Sequence, residues 1–331
     1  MKKKNIMSLI FTCILLVLVF YKIDIYALCK VLRSFKYSFL IPAAILYVLT
    51  LYLRGLRWKF LLPDTQQKVS VLKLAGIFTV GSMLNVFIPA RAGDIYRAYH
   101  LGKDTSEKKM KIFASVILER IFDGIAVFLL LLTAVLNCYK QKWIINFTFF
   151  TGFMFIFAII AAYLIFRYNK VYPIFERLNK LSDKYLKKGQ SVTKKITEHI
   201  NNFISGFEPL CKIKVTLITF ALSLSIWLIE CIITYYILCG FGIYIGVWAS
   251  VFIIALTSFS TVIPSTSVFL GPYQYAYVLA LGIFSINKST ALAIATVHQS
   301  TLILILVLIG IFYILKNNVS LNLRKTKENS L

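Results

Sequence analysis

Long apolar stretches almost free of charge follow one another along this chain, and they decide what it can fold into. They run over Asn5–Tyr21, Tyr37–Leu53, Val71–Ile88, Ile117–Leu136, Ile144–Phe166, Val215–Cys239, Ile245–Ile263, Val268–Phe284 and Thr290–Leu315. A helix needs roughly 20 apolar residues to span a bilayer, and in lipid the backbone must satisfy its own polar groups, which restricts spanning structure to helices and closed barrels. The lengths fit helices. The chain is therefore expected to be an all-α polytopic membrane protein, one integral domain over residues 1–331 with about six to eight transmembrane helices. Its 59% hydrophobic and 15% charged content excludes a soluble enzyme, since soluble domains carry about a quarter charged residues.

The net charge of +24, from 37 Lys and Arg against 13 acids, would suggest nucleic acid in a soluble protein. In a membrane protein it reflects the gathering of basic residues in cytoplasmic loops, and no nucleic-acid partner is expected. Lys2, Lys3 and Lys4 precede the first apolar run, and no small-x-small site follows it. That segment reads as an uncleaved helix. Cysteines stand at 13, 29, 138, 211, 231 and 239 without a C-x-x-C pair, so no metal site and no cofactor is expected. Cys138 and Cys239 are the pair whose placement would permit a disulfide.

Two stretches are broken. The Val71 run meets Pro89-Ala90-Arg91-Ala92-Gly93-Asp94, and the Ile245 run meets Pro264-Ser265-Thr266-Ser267, followed by a piece interrupted at Gly271-Pro272. Half-helices joined by irregular backbone survive in a membrane only where the joint is buried in protein or lines a watery cavity. Suppose the Val71 unit enters and leaves on the cytoplasmic side, the Ile245 unit does so on the outer side, and the other segments cross. The outside then carries Lys22, Lys30, Arg33, Lys36, Lys140, Lys142 and Lys288, Arg120 lies within a helix, and every other basic residue is inside. That bias places both termini in the cytoplasm, in the cytoplasmic membrane of a prokaryote. A plain eight-crossing arrangement is the alternative. One break open to each side is the pattern of an inverted repeat, although no sequence identity between the halves is visible.

The long cytoplasmic loop, about 168–214, repeats apolar residues at helical spacing: Ile174, Leu178, Leu181 and Tyr185, then Ile196, Ile200, Phe203 and Phe207. With its lysines it reads either as amphipathic helices on the anionic inner leaflet or as a solvated connector.

Charged groups within membrane segments cost roughly 2.5–3.5 kcal/mol each on insertion scales and need a reason to be there. Around the first break stand Asn85, Pro89, Arg91, Gly93, Asp94 and Arg97. Pro89 stops a helix, Gly93 permits a bend and Asp94 caps the helix that restarts. The free N–H groups of that helix, with Arg91 and Arg97, would grip a phosphate. The plainer reading is that both arginines snorkel to the interface. Next comes Glu119-Arg120-x-x-Asp123, where Arg120 is placed to pair with Asp123, leaving Glu119 to pair with Arg91 or Arg97 or to bind a proton. Glu230 is alone in its helix and suits either a proton site or a hydrogen bond to a neighbouring helix. His298, with Gln299, suits an interhelical hydrogen bond or a functional role. No P-loop, nucleophile elbow or H-E-x-x-H is present, so hydrolysis and phosphoryl transfer are not expected.

At these residues the sequence resembles the flippase-like transmembrane region of the lysylphosphatidylglycerol synthase family, the membrane part of multiple peptide resistance factors. The resemblance rests on Arg54-x-x-Arg57-Trp58, on Asn85 to Arg97 and on Glu119-Arg120-x-x-Asp123. In the second half, Pro264, Gly271, Tyr273 and Gln274 match more loosely: Ser267 and Val268 stand where the family carries Pro-Gly, and Gln274 where it carries Glu. Full-length members add a soluble aminoacyl-transferase domain that makes the lipid. This chain ends in a short basic tail, so the resemblance implies a flippase-like protein without that chemistry. The expectation is translocation of an anionic or phosphate-bearing lipid, a phospholipid or a polyprenyl-phosphate-linked one. Arg91 and Arg97 would hold the phosphate on the cytoplasmic side, Pro264, Gly271 and Gln274 would form an outward half-site, and Glu119, Arg120, Asp123, Glu230 and His298 would balance charge or couple protons. The alternatives are a membrane-embedded transferase, lysyltransferase-like or acting on a lipid carrier, and a membrane subunit anchoring a separate synthase or glycosyltransferase. Homo-oligomers are compatible with either.

Overall fold

A computed structural model describes residues 30–62, 69–88, 91–105, 107–138, 141–154, 198–199, 202–260 and 271–317. Among these no strand occurs and the apolar stretches are helical, as expected of an all-α membrane protein. The helices are α1 (Leu40–Leu61), α2 (Val71–Phe87), α3 (Ala92–Thr105), α4 (Lys109–Cys138), α5 (142–154), α6 (Ile213–Gly240), α7 (Val247–Ser260), α8 (Pro272–Gly282) and α9 (Lys288–Lys316). Three segments, Tyr37–Leu61, Ile213–Gly240 and Lys288–Lys316, are long and apolar enough to cross a bilayer, at 25, 28 and 29 residues. The first apolar run, most of the 168–214 loop, Pro89 and Pro264 lie outside the described residues.

Local chemistry explains where helices begin and end. Ser70 Oγ accepts a hydrogen bond from the Lys73 amide at the start of α2, and Asn287 Oδ1 accepts from the Thr290 amide at the start of α9, satisfying donors that the first turn leaves free. α2 stops at Phe87 because Ile88 is extended (φ −111°, ψ 123°), the conformation that a following proline imposes. α1 runs past the expected Leu53 to Leu61. Its Arg54 and Arg57 turn inward onto acids of other helices, so charge there does not end the span.

Lipid tails are as apolar as leucine, so helices in a membrane associate through close packing and interhelical polar contacts. α1 and α2 meet where a Cβ on Gly55 would lie 2.6 Å from the Ala75 nitrogen. α2 and α9 meet where Tyr313 fills the space over Gly76 and Met83 Sδ lies 2.9 Å from a Cβ on Gly310. Outward-facing Ile41, Ile45, Leu304, Leu308 and Phe312 are exposed, as lipid-facing side chains should be. Cys239 is a free, buried thiol, so it forms no disulfide with Cys138.

The first broken unit turns back on itself. Gly93 packs on Gly81, and farther from the break the Lys73 ammonium lies 2.9 Å from Asp104, joining the start of α2 to the end of α3. Both ends of the unit are therefore on one side, and its two arms are short, 17 and 14 residues, against roughly 20 for a full span.

The packing also repeats. Exchanging α1 with α6, α2 with α7, α3 with α8 and α4 with α9 maps the contacts onto one another: α1–α2 onto α6–α7, α2–α3 onto α7–α8, α3–α4 onto α8–α9, and α2–α9 onto α7–α4. α1 and α6, exchanged by this operation, pack directly on each other. They run antiparallel: the Lys36 amide bonds Gly240 O, the Phe39 ring lies tilted beside that of Tyr236, Arg54 meets Glu230 and Arg57 meets Ser223. A two-fold relation between antiparallel helices has its axis across them, in the plane of the membrane, which is the geometry of an inverted repeat.

Candidate functional site

The first break is built by Asn85. Its Oδ1 accepts from the Gly93 amide at 2.8 Å and its Nδ2 donates to Asp94 Oδ1 at 3.0 Å, so the last turn of α2 caps the restarting α3. Asp94 was expected to provide that cap; its carboxylate instead lies between Asn85 and the Arg120 guanidinium, whose Nη2 is 3.0 and 3.3 Å from its two oxygens. Nor is Gly93 the bend. Among the described residues of the break the left-handed one is Arg91 (φ 53°), and Gly93 is glycine because a Cβ there would overlap the Gly81 carbonyl. Arg91 is exposed, and the Arg120 side chain is 39% exposed. The break thus gathers two guanidinium groups and one carboxylate, an excess of one positive charge.

Arg97 is elsewhere. It is fully buried, its Nη2 2.7 Å from Glu119 Oε2, with the guanidinium 4.2 Å from the Trp58 ring centre and 4.5 Å from that of Phe78. Gly81 leaves the room its stem occupies. Nε and Nη1 of Arg97 and Oε1 of Glu119 meet no hydrogen-bond partner. Two aromatic faces attract the cation, and the ion pair offsets part of a desolvation cost of several kcal/mol.

Two further ion pairs stitch α1 to α4 and α6. Asp123 takes Arg57 through both oxygens, Nη2 to Oδ2 at 3.1 Å, and also accepts from Trp227 Nε1 at 2.9 Å; Arg57 Nη1 additionally donates to Ser223 at 2.8 Å. Asp123 therefore pairs with a residue on another helix and not with Arg120, whose guanidinium is drawn to Asp94. Glu230 pairs with Arg54 at 3.1 Å, the hydrogen bond to a neighbouring helix that its position allowed. Glu119 finds Arg97, one of its two expected partners.

In the second half, Gly271 takes φ 92°, a backbone that favours glycine, and its amide donates to Gln274 Oε1 at 2.8 Å. Gln274 Nε2 reaches Gln299 Oε1 at 2.6 Å. His298 Nδ1 bonds the Tyr277 hydroxyl and lies 3.2 Å from that of Tyr273. His298 is fully buried and its Nε2 meets no partner.

The model of the lysylphosphatidylglycerol synthase transmembrane region matches residues 5–310. The chain belongs to this family. A UPF0104 membrane protein of Methanocaldococcus jannaschii is similar to it, 27% identical over 238 residues that cover 71% of this chain and 95% of that protein. No solved structure matches the chain.

Within this family member, the candidate residues collect at two places and one seam. Asn85, Arg91, Gly93, Asp94 and Arg120 meet at the first break, Gly271, Gln274 and His298 near the second, and Asp123 and Glu230 on the seam of α1, α4 and α6. Arg97 and Glu119 are enclosed behind the first break. From the sequence, Arg54, Arg57, Trp58 and Tyr273 entered only as marks of the family, with no role at the site, and Phe78, Trp227, Gly81 and Tyr277 did not enter at all. Two arginines at i, i+3 in a run of leucines were the available signal for the first pair; two tyrosines at i, i+4 after a Gly-Pro break were the signal for the last.

Proposed function

We propose that this protein carries an anionic or phosphate-bearing lipid, a phospholipid or a polyprenyl-phosphate-linked lipid, from one leaflet of the cytoplasmic membrane to the other, with both termini in the cytoplasm. The observation that supports this most is the pair Arg91 and Arg120, both partly or fully exposed at the break. Arg120 is the twelfth residue of α4, about 17 Å along the helix. At such depth a guanidinium without an anion is costly; Arg120 has Asp94, and for the exposed Arg91 beside it an anionic head group is the partner that would remove the cost. Asp94 neutralises one of the two cations and holds its place; the other is left for a phosphate, next to the positive end of α3. Arg97, with Nε and Nη1 unpaired, is the next partner inward once the break opens. Glu119, Asp123 and Glu230 keep the remaining arginines neutralised while the site is empty.

The test is leaflet exchange of labelled lipids in liposomes containing the purified protein. Arg91→Ala with Arg120→Ala should abolish exchange of anionic lipid while the protein still inserts and elutes as a monodisperse species. Exchange at the wild-type rate in that variant would overturn the reading.

A further inference from the structure

The two-fold relation holds at the level of single residues. Arg91 and Gly271 each precede a restarted helix and each have positive φ. Asp94 and Gln274 are the third residues of α3 and α8, and Arg97 and Tyr277 the sixth. Glu119 and His298 are the eleventh residues of α4 and α9, and Arg120 and Gln299 the twelfth. The contacts correspond as well: Asp94 with Arg120 as Gln274 with Gln299, and Arg97 with Glu119 as Tyr277 with His298. One scaffold thus carries two polar clusters at mirrored depths, the first made of ion pairs and the second of neutral groups.

We propose that the second cluster, Gln274, Gln299, Tyr273, Tyr277 and His298, is the seat of the anionic head group on the opposite leaflet side, and that His298 supplies its positive charge by taking up a proton when the anion arrives. This rests on the lipid-carrier reading and adds to it where the second seat is and what charges it. The carrying observation is His298 Nε2, an orphan polar atom on a fully buried side chain. With a tyrosine hydroxyl donating to Nδ1, the neutral ring carries its hydrogen on Nε2, which is left to donate to the ligand; the proton taken up goes to Nδ1, where a tyrosine oxygen turns to accept it. A buried donor without an acceptor costs about 1–3 kcal/mol, which an anionic oxygen would recover.

The surroundings favour a neutral ring until then. α8 presents Tyr273 and Tyr277 to His298. α6 brings Glu230 and Cys231 close to Tyr277, and α1 brings Tyr47 close to Tyr273. The Glu230 carboxylate is already paired with Arg54. α2, the remaining helix against α9, carries Lys73 in its first turn, and that ammonium is taken by Asp104. No unpaired carboxylate among these groups offers a counter-ion, so imidazolium and anion are stable here only together. Head group and proton then bind as one unit, and one positive charge enters with one negative charge.

Calorimetry tests this in the wild-type protein. Water-soluble short-chain phosphatidylglycerol is titrated into the protein in zwitterionic nanodiscs, in buffers of different ionisation enthalpy, with empty discs subtracted. The slope of binding enthalpy against buffer enthalpy should report about one proton taken up per lipid bound at the second seat, with affinity rising about tenfold per pH unit lowered. His298→Gln should remove the uptake while binding at the first break persists; His100→Gln should leave it unchanged. Should His298→Gln fail to fold, the chain's three histidines permit a background in which His100 and His199 are glutamine, where the single imidazole nitrogen signal should turn from neutral to protonated on adding lipid. Binding without proton uptake, or uptake that survives His298→Gln, overturns the proposal. Absence of lipid binding in any form would overturn the carrier reading itself, and proton-coupled binding without leaflet exchange would overturn the carrier reading alone.

Discussion

Consider removing Asp123. Its carboxylate is the sole anion among the described residues bonded to Arg57, a side chain 1% exposed, and it also accepts the Trp227 indole. Asp123→Ala leaves a buried guanidinium with Ser223 as its remaining acceptor. Breaking one side of a buried ion pair costs about 3–5 kcal/mol, and losing the indole bond adds about 1 kcal/mol. Asp123→Asn keeps an oxygen for both donors and gives up the charge alone, so its cost should lie near the lower end, about 3 kcal/mol. Removing both charges together, as Arg57→Met with Asp123→Leu, should recover most of the loss, because no orphaned charge remains. Reversible unfolding in mixed micelles, followed by tryptophan fluorescence, measures all three. A value within about 1 kcal/mol of wild type for Asp123→Ala would refute the claim that this pair ties α1 to α4, as would a double variant that pays the two single costs in full.

Three other outcomes follow from the same geometry. Gly93→Ala forces a methyl into the Gly81 carbonyl and should destabilise the fold by about 3 kcal/mol or more, beyond the usual overpacking range; unchanged thermal stability would contradict the close α2–α3 contact. Exposed Cys211 should react with a membrane-impermeant maleimide from the cytoplasmic side, while buried Cys231 and Cys239 stay protected until unfolding, read in a background where Cys13, Cys29 and Cys138 are serine; labelling from outside would reverse the proposed orientation. Lys73→Cys with Asp104→Cys replaces an ion pair that joins the far ends of α2 and α3 and should cross-link under mild oxidation; no cross-link would contradict the folding of α3 back along α2.

The spans were legible because hydropathy alone specifies them: α2, α6 and α9 begin and end within two residues of the apolar runs. The ends that moved are those where charge is compensated from afar. Arg54 and Arg57 looked like the end of a span, and only the fold reveals that Glu230 and Asp123 wait for them on other helices. The same limit explains the partner exchange at Arg120. Spacing along one helix put Asp123 in reach, but Arg57 and Asp94, 66 and 26 residues away in sequence from their partners, are nearer in space. The first break could be read because proline, glycine and charge coincide there. Of the second cluster, Gln274 and His298 stood out singly, but their joining with Tyr273 and Tyr277 was hidden because its chemistry is neutral: these are ordinary membrane-helix residues until the two-fold relation sets them opposite Arg97, Asp94 and Glu119.

The measurement that bears most directly on function is lipid-resolved leaflet exchange in liposomes, with the label on the inner leaflet reported by its loss to an impermeant quencher. We expect the wild-type protein to expose inner-leaflet anionic or phosphate-bearing lipid and to leave an uncharged lipid in place, with the activity gone in Arg91→Ala with Arg120→Ala. Exchange of every lipid alike, or of none, would contradict a carrier that selects the negative charge at this break.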